Sequence, residues 1–452
     1  MHYKVVVVDD SPFMRKIISD LIEKDPAFKV VGTAVNGWEA LIKISELKPD
    51  IVTMDVEMPE MNGLEALKTI MRDNPLPVIM LSGINEEGMR ETILALESGA
   101  FDFIRKPSVS VSNDINQVSE LLLEKMKVAM QAKERRAAWQ AEELVRSDEI
   151  KKYTRKEIEK DMSDHDPAKP VDDRSKLSIR KSIIESIYDV KENVKRTIVS
   201  PKQEKPLKDH KASSVSIPRS PSSGKRITTE KHNESTKELV VPKLRNGLSK
   251  ISQPLEGIST SFQHLVAIGC STGGPRALKE LLERIPEGFP APVVIVQHMP
   301  PKFTKSLAQR LDSFSSLEVV EGENGMVLHR GCAYIAPGGF HMEIVRASDG
   351  RYEISLTEDE PRSGHRPSVD TLFDSLIPFD KLERHIVLLT GMGSDGSKAM
   401  KHLYDSGVTD TYAESEETCV VYGMPRSAVE LQCVSHILPL QEIPSKLAVM
   451  MK

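Results

Sequence analysis

Residues from about 162 to 255 constrain the fold more than any other part of this chain. They are crowded with Lys, Ser, Pro and Asp and nearly free of aromatics, as in Ser216 to Lys225. Such a segment cannot bury enough apolar area to offset chain entropy, so it reads as disordered. Within it, Ser182 to Val199 could form a short helix with Ile183, Ile184, Ile187, Tyr188 and Val190 on one face, and a weak transient helix is the simpler reading. Any globular structure must therefore be built in two pieces, one on each side. The length agrees, because 452 residues exceed what one hydrophobic core usually holds.

In the first piece, Val5 to Val8, Ile51 to Met54 and Val78 to Leu81 are short apolar runs that read as buried strands. Amphipathic stretches such as Pro12 to Lys24 and Gly63 to Arg72 lie between them as helices. The alternation predicts a doubly wound parallel sheet, in which chemistry collects at the carboxyl ends of the strands. Asp9, Asp10, Asp55 and Ser82 all fall there. Val118 to Asp161 is charged and helical in pattern, a long exposed helix leaving this domain. From about 262 the pattern returns, with strands at Leu265 to Gly269, Val293 to Gln297, Cys332 to Ile335 and Ile386 to Thr390, and helices such as Arg276 to Arg284 and Thr304 to Asp312. No internal repeat links the halves. The expected class is α/β: two doubly wound parallel-sheet domains, 1–123 and 262–452, joined by a charged helical extension and a long, largely disordered linker over 124–261.

Bulk charge narrows the partners. With 61 basic and 67 acidic residues the net charge is -6, which gives no overall attraction to nucleic acid or to an anionic membrane. Cys270, Cys332, Cys419 and Cys433 are scattered without C-x-x-C spacing and read as reduced thiols of a cytoplasmic protein. The apolar start is too short, and too acidic at its end, for a signal peptide, and no stretch reaches the length of a membrane span.

Asp10 and Asp55, each closing a predicted strand, could offer carboxylates to Mg²⁺, with Asp9 behind them. Asp55 is then a candidate nucleophile for phosphoryl transfer, and Lys106 could pair with phosphoryl oxygens, with Pro107 fixing the turn after it. Alone, a strand-end aspartate is a helix cap and a lone lysine a solvated charge. Together Asp9-Asp10, Asp55 in D-V-E-M-P, Ser82 and Phe103-Ile104-Arg105-Lys106-Pro107 occur in order, which disfavours that reading. Residues 1–123 resemble the response-regulator receiver family. The resemblance implies a flavodoxin-like fold in which Asp55 accepts phosphate from a histidine kinase. Asp9, Asp10, Asp55 and the backbone carbonyl of Glu57 would form the Mg²⁺ site, and Ser82, Phe103 and Lys106 would report phosphorylation.

In the second piece Gly269-Cys270-Ser271-Thr272-Gly273-Gly274-Pro275 follows an apolar run, which puts Ser271 on a sharp strand-to-helix turn with backbone amides nearby. A serine hydroxyl needs a base, and the base needs a partner that holds its tautomer. His298 and Asp395, each after a predicted strand, supply both on one sheet edge. Their order, Ser, His, Asp, departs from the Ser, Asp, His of α/β-hydrolases, and G-x-S-x-G alone is a weak signal. A phosphate-cradling loop is the alternative, yet no lysine follows the glycines as in a Walker motif, and the spacing of G-x-G-x-x-G is missing.

I-G-C-S-T-G-G-P, Q-H-M-P, Y-I-A-P-G-G-F-H, G-H-R-P-S-V-D and L-L-T-G-M-G-S-D-G make residues from about 262 to 450 resemble the catalytic domain of chemotaxis protein-glutamate methylesterases. The resemblance implies a Rossmann-like serine esterase that hydrolyses glutamate methyl esters on chemoreceptors, with receptor glutamine deamidation beside it. It implies no cofactor for hydrolysis, the backbone amide of Met392 in the oxyanion hole, and a chemotaxis histidine kinase and methyl-accepting chemoreceptors as partners. The loop Gly364 to Pro367 is as well read as a support for the site as a direct participant. In that family the unphosphorylated receiver covers the catalytic face. A tether as long as 124–261 lowers the effective concentration of one domain at the other and weakens such closure unless the docking surface is tight. Two rival readings are a scaffold or phosphate sink that has lost catalysis, against which the intact Ser271, His298 and Asp395 weigh, and a DNA-binding regulator, for which no helix-turn-helix or basic recognition helix is present.

Overall fold

A computed structural model describes residues 2–83, 85–106, 112–163 and 261–451. Of the disorder expected over about 162–255, residues 162 and 163 instead end a described helix; the rest of it, the helix expected over Ser182 to Val199 and the turn at Pro107 lie outside the described residues.

The first domain runs β1 (Tyr3–Val8), α1 (Pro12–Ile22), β2 (Phe28–Ala34), α2 (Gly37–Leu47), β3 (Ile51–Asp55), α3 (Gly63–Asp73), β4 (Val78–Ser82), α4 (Glu86–Glu97), β5 (Asp102–Arg105) and α5 (Ser112–Ser163). Its five strands are parallel in the order β2-β1-β3-β4-β5. The order reverses between β1 and β3, so Asp9 and Asp55 leave adjacent strands at the switch point where such sheets bind ligands. Local chemistry sets the helix starts. Ser11 caps α1 ahead of Pro12, Asn36 caps α2, and Asn62 with Glu65 forms a capping box on α3. The predicted end of α1 at Lys24 is two residues late, because the chain leaves the helix at Glu23.

The second domain contains β6 (His264–Cys270), α6 (Gly274–Glu283), β7 (Val293–Gln297), α7 (Phe303–Asp312), β8 (Glu318–Glu321), β9 (Cys332–Ile335), β10 (His341–Arg346), β11 (Tyr352–Thr357), α8 (Val369–Ser375), β12 (Glu383–Leu388), α9 (Ser397–Asp405), β13 (Thr411–Glu414), α10 (Met424–Glu430), β14 (His436–Leu438) and α11 (Ile443–Met450). Seven parallel strands take the order β14-β13-β12-β6-β7-β9-β8, while β10 and β11 form a separate antiparallel pair. Ser271 leaves β6 at the second switch point, between β12 and β7. The hairpin and the edge strands β8 and β14 are short or half-exposed, the inner strand β13 has only four residues, and their weak apolar alternation gives little to read in the sequence.

The described residues up to Gln140 and from Ser261 onward form one compact unit. One apolar cluster is continuous across both domains, with Leu96 and Phe103 of the first and Leu278, Phe303 and Leu307 of the second. The Phe103 and Phe303 rings lie 4.7 Å apart between centroids. Glu97 at the end of α4 accepts from Arg310 Nε at 3.0 Å and Nη2 at 2.9 Å, and Lys279 lies 3.8 Å from it. Arg135 of α5 pairs with Glu416 at 3.4 Å. Apolar packing and ion pairs thus join the two domains in this conformation.

Candidate functional site

At the carboxyl edge of the first sheet, carboxylate oxygens of Asp9, Asp10 and Asp55 lie within 4.8 Å of one another. Lys106 Nζ sits 2.6 Å from Asp55 and 2.9 Å from Asp9. Burial lifts the Asp55 carboxyl to about 6, against the pull of Lys106 and with the help of the Asp9 charge. A compact set of hard oxygen donors whose charge is costly to bury suits a small divalent cation. Glu57 follows β3, its N–H 3.4 Å from Asp55 and its side chain accepting from Asn85 at 2.7 Å. Ser82 is buried and accepts from Thr92 Oγ1 at 2.6 Å. Phe103 packs into the interdomain cluster.

In the second domain the turn at Ser271 is sharp because Gly273 adopts φ +81°, in the left-handed region, and opens α6. A side chain at Gly273 would meet Val420 Cβ at 2.6 Å, which a second time restricts the position to glycine. Backbone contacts fix the turn: the Ser271 N–H donates to Thr390 O at 3.0 Å, and Thr390 Oγ1 donates to Thr272 O at 2.9 Å. Behind Thr390, its N–H donates at 2.8 Å to Glu414, whose carboxyl is pushed up to about 7 by burial.

His298 follows β7, and its Nε2 lies 2.8 Å from Asp395 Oδ2. With a carboxylate on that side, Nε2 carries the proton and donates. Nδ1 is buried without a hydrogen-bond partner, so Ser271 Oγ is not bonded to it in this conformation. The ring face of His365 stacks on His298, centroids 3.7 Å apart and planes 10° from parallel. Burial, and then the neighbouring His298, push His365 down to about 4, so it is neutral at physiological pH.

Asp395 is the best-anchored group of the set. It accepts from Ser368 Oγ at 2.9 Å and from the N–H groups of Val369 at 2.7 Å and Asp370 at 3.0 Å. Burial raises the Asp395 carboxyl, but the His298 hydrogen bond and charge and these backbone donors outweigh it and hold it below the ordinary range. The loop Gly364 to Pro367 contributes the His365 ring that stacks on His298, and the donors that hold Asp395 come from Ser368 to Asp370, immediately after it. The roles of Ser368 and Asp370 carried no local signal, since each acts on Asp395, which follows another strand.

Ser271, His298 and Met392 line one cavity, and its opposite wall is the first domain, with Asp102, Phe103 and Lys125. Thr272 Oγ1, beside the candidate nucleophile, donates to Asp102 at 2.5 Å, and Lys125 pairs with the same carboxylate. Among the described residues no helix is long and apolar enough to cross a membrane.

Residues 5–116 match the response regulator receiver domain and residues 266–447 match CheB methylesterase. The chain is 39% identical over 440 residues, 97% of its length and 96% of the relative's, to a protein-glutamate methylesterase/protein-glutamine glutaminase of Geobacillus kaustophilus (strain HTA426). It is 37% identical over 445 residues, 98% of its length and 97% of the relative's, to the protein of the same name from Thermotoga maritima. The crystal structure of the Thermotoga maritima CheB methylesterase catalytic domain is 44% identical and covers 42% of this chain and 100% of that one, with a TM-score of 0.41. With nearly full-length identity of this order and both domain matches in place, the chain belongs to the protein-glutamate methylesterase/protein-glutamine glutaminase family, receiver domain included.

Proposed function

We propose that this protein hydrolyses γ-glutamyl methyl esters on chemoreceptors in the cytoplasm, releasing methanol, that it deamidates receptor glutamines at the same site, and that phosphorylation of Asp55 switches it on. One observation carries the catalytic reading. His298 is anchored to Asp395 on one nitrogen at 2.8 Å and leaves the other buried and unpartnered, in the cavity that Ser271 lines.

Ser271 Oγ attacks the ester carbonyl while His298 Nδ1 accepts its proton, and Asp395 stabilises the resulting imidazolium. The backbone N–H of Met392 donates to the oxyanion, a contribution typically of about a hundredfold or more in rate. The proton on His298 then passes to the departing methoxide, which leaves as methanol. For glutamine the leaving group is ammonia. Water enters, gives its proton to His298, and its oxygen displaces Ser271, which recovers a proton as the glutamate is released.

Asp9, Asp10, Asp55 and the Glu57 carbonyl would hold Mg²⁺, which would supply charge neutralisation for the incoming phosphoryl group. Asp55 accepts that group from a chemotaxis histidine kinase, and Lys106 exchanges its carboxylate partner for the phosphoryl oxygens. Ser82 and Phe103 carry the change to the face made by α4, β5 and α5, which walls the cavity. Receptor helices reach Ser271 only once that face withdraws.

The test is methanol release from methyl-labelled receptor by intact protein, Ser271→Ala and Asp55→Asn, each with and without acetyl phosphate and Mg²⁺. Release should require Ser271 and should rise with phosphodonor only when Asp55 is present. Release that survives Ser271→Ala would overturn the catalytic assignment, and a phosphodonor response in Asp55→Asn would overturn the switch.

A further inference from the structure

Gln297 is the last residue of β7, immediately before His298, and is 2% exposed. Its side chain crosses to the neighbouring strand end at the base of the cavity. Nε2 donates to Ser271 O at 3.0 Å and to His298 O at 3.1 Å, and Oε1 accepts from Cys270 Sγ at 3.1 Å. Two carbonyl acceptors can be met only by the NH₂ end, so the orientation of the amide follows from its surroundings. Both hydrogens are used, one on the nucleophile's peptide unit and one on the base's.

The rest of the turn is shaped around this amide. Ser271 O receives a second donor from the Gly274 N–H at 2.8 Å, so both of its lone pairs are occupied. A Cβ on Gly274 would come within 1.9 Å of Gln297 Oε1, and only glycine leaves room for the side chain beneath the first turn of α6. The adjoining ladder contact, His298 N–H to Cys270 O, is 3.2 Å. Between the ends of β6 and β7 the Gln297 amide is thus the side-chain link that touches both residues.

We propose that Gln297 is a positioning residue for ester hydrolysis, whose carboxamide holds the Ser271 and His298 peptide units at a fixed separation so that nucleophile and base meet in reactive geometry. The inference rests on the assignment of Ser271 and His298 above. Reaction rates respond steeply to such placement, and a misplacement of about 1 Å costs on the order of a hundredfold. Gln297 lines the cavity, but both of its amide hydrogens are spent on the Ser271 and His298 carbonyls, so its removal acts first on the placement of those two residues.

The experiment uses the full chain with acetyl phosphate and Mg²⁺, methyl-labelled receptor as substrate, and turnover expressed per serine titrated to completion by a fluorophosphonate. Gln297→Met keeps the length of the side chain and removes both donors. It should lower kcat about 100-fold per titrated serine with KM within about twofold of the parent. Gln297→Glu supplies a readout that a packing defect would not move. Its protonated form restores one donor and its carboxylate none, so kcat relative to the parent should fall as pH rises. Ser271→Ala run alongside separates the failures. Retained release there removes the catalytic assignment itself. Abolished release there, with both Gln297 variants within about twofold of the parent in kcat at every pH, overturns the role of Gln297 alone, as would a loss confined to KM.

Discussion

Asp370 and Asp395 cap each other's helices. The Asp370 N–H donates to Asp395 Oδ1 at 3.0 Å, and Asp370 Oδ1 accepts from Gly396 and Ala399, the start of α9, at 3.0 Å each. The carboxylate that orients His298 is therefore held at the N-terminus of α8, and the helix following that carboxylate is held by a residue of α8. Burial, and after it the Asp395 charge, push the Asp370 carboxyl up, opposed by the Ala399 N–H. Asp370→Ala should cost about 2 kcal/mol of stability through lost capping of a buried helix start. It should also lower kcat at least about tenfold, because the Gly396 N–H beside Asp395 loses its acceptor and the turn that places Asp395 loosens. Denaturant unfolding and methanol release measure the two effects separately.

Glu97 of the first domain is bonded to Arg310 and lies beside Lys279, both of the second domain. The carboxylate is 6% exposed but Arg310 is 37% exposed, so solvent screening limits the pair to about 1 kcal/mol. Glu97→Ala should raise the rate without phosphodonor about fivefold and leave the rate with saturating acetyl phosphate unchanged. Equal changes in both rates would place the effect in catalysis rather than closure.

Glu414 makes stability fall as pH rises. Its folded carboxyl, at about 7, lies above its ordinary value of 4.5. The folded state thus binds the proton more tightly. The associated stability is complete below pH 4.5 and is lost as pH rises through 7, by on the order of 3 kcal/mol. Thermal unfolding between pH 5 and 8 should show this decline in the parent protein and a flatter profile in Glu414→Gln.

His365 has the opposite sign. Its folded imidazole, at about 4, lies below the ordinary 6.5, so it stabilises the fold above pH 6.5 and that contribution fades as pH falls toward 4. The loss should reach about 2 kcal/mol near pH 4.5. His365→Phe keeps an aromatic face on His298 and should unfold with a shallower dependence on acid pH, as thermal melts from pH 7 to 4.5 would record.

Sequence by itself determined the two sheets and what stands at their edges. Val5 to Val8 before Asp9, Ile51 to Met54 before Asp55, and Leu265 to Gly269 before Ser271 are apolar runs too short for helices, each ending in a polar group. Such periodicity is written within a few residues, and so is the turn glycine Gly273. Other features needed the tertiary structure. The grip of Ser368 to Asp370 on Asp395, the bridge from Gln297 to Ser271, the stacking of His365 on His298 and the closure of Phe103 over Phe303 all join residues from different strands or different domains. Which strand end faces which is set by strand order and by packing over long sequence separations. Those depend on burying the whole of each sheet and of the interdomain surface at once, a cooperative outcome with no local signature in the chain.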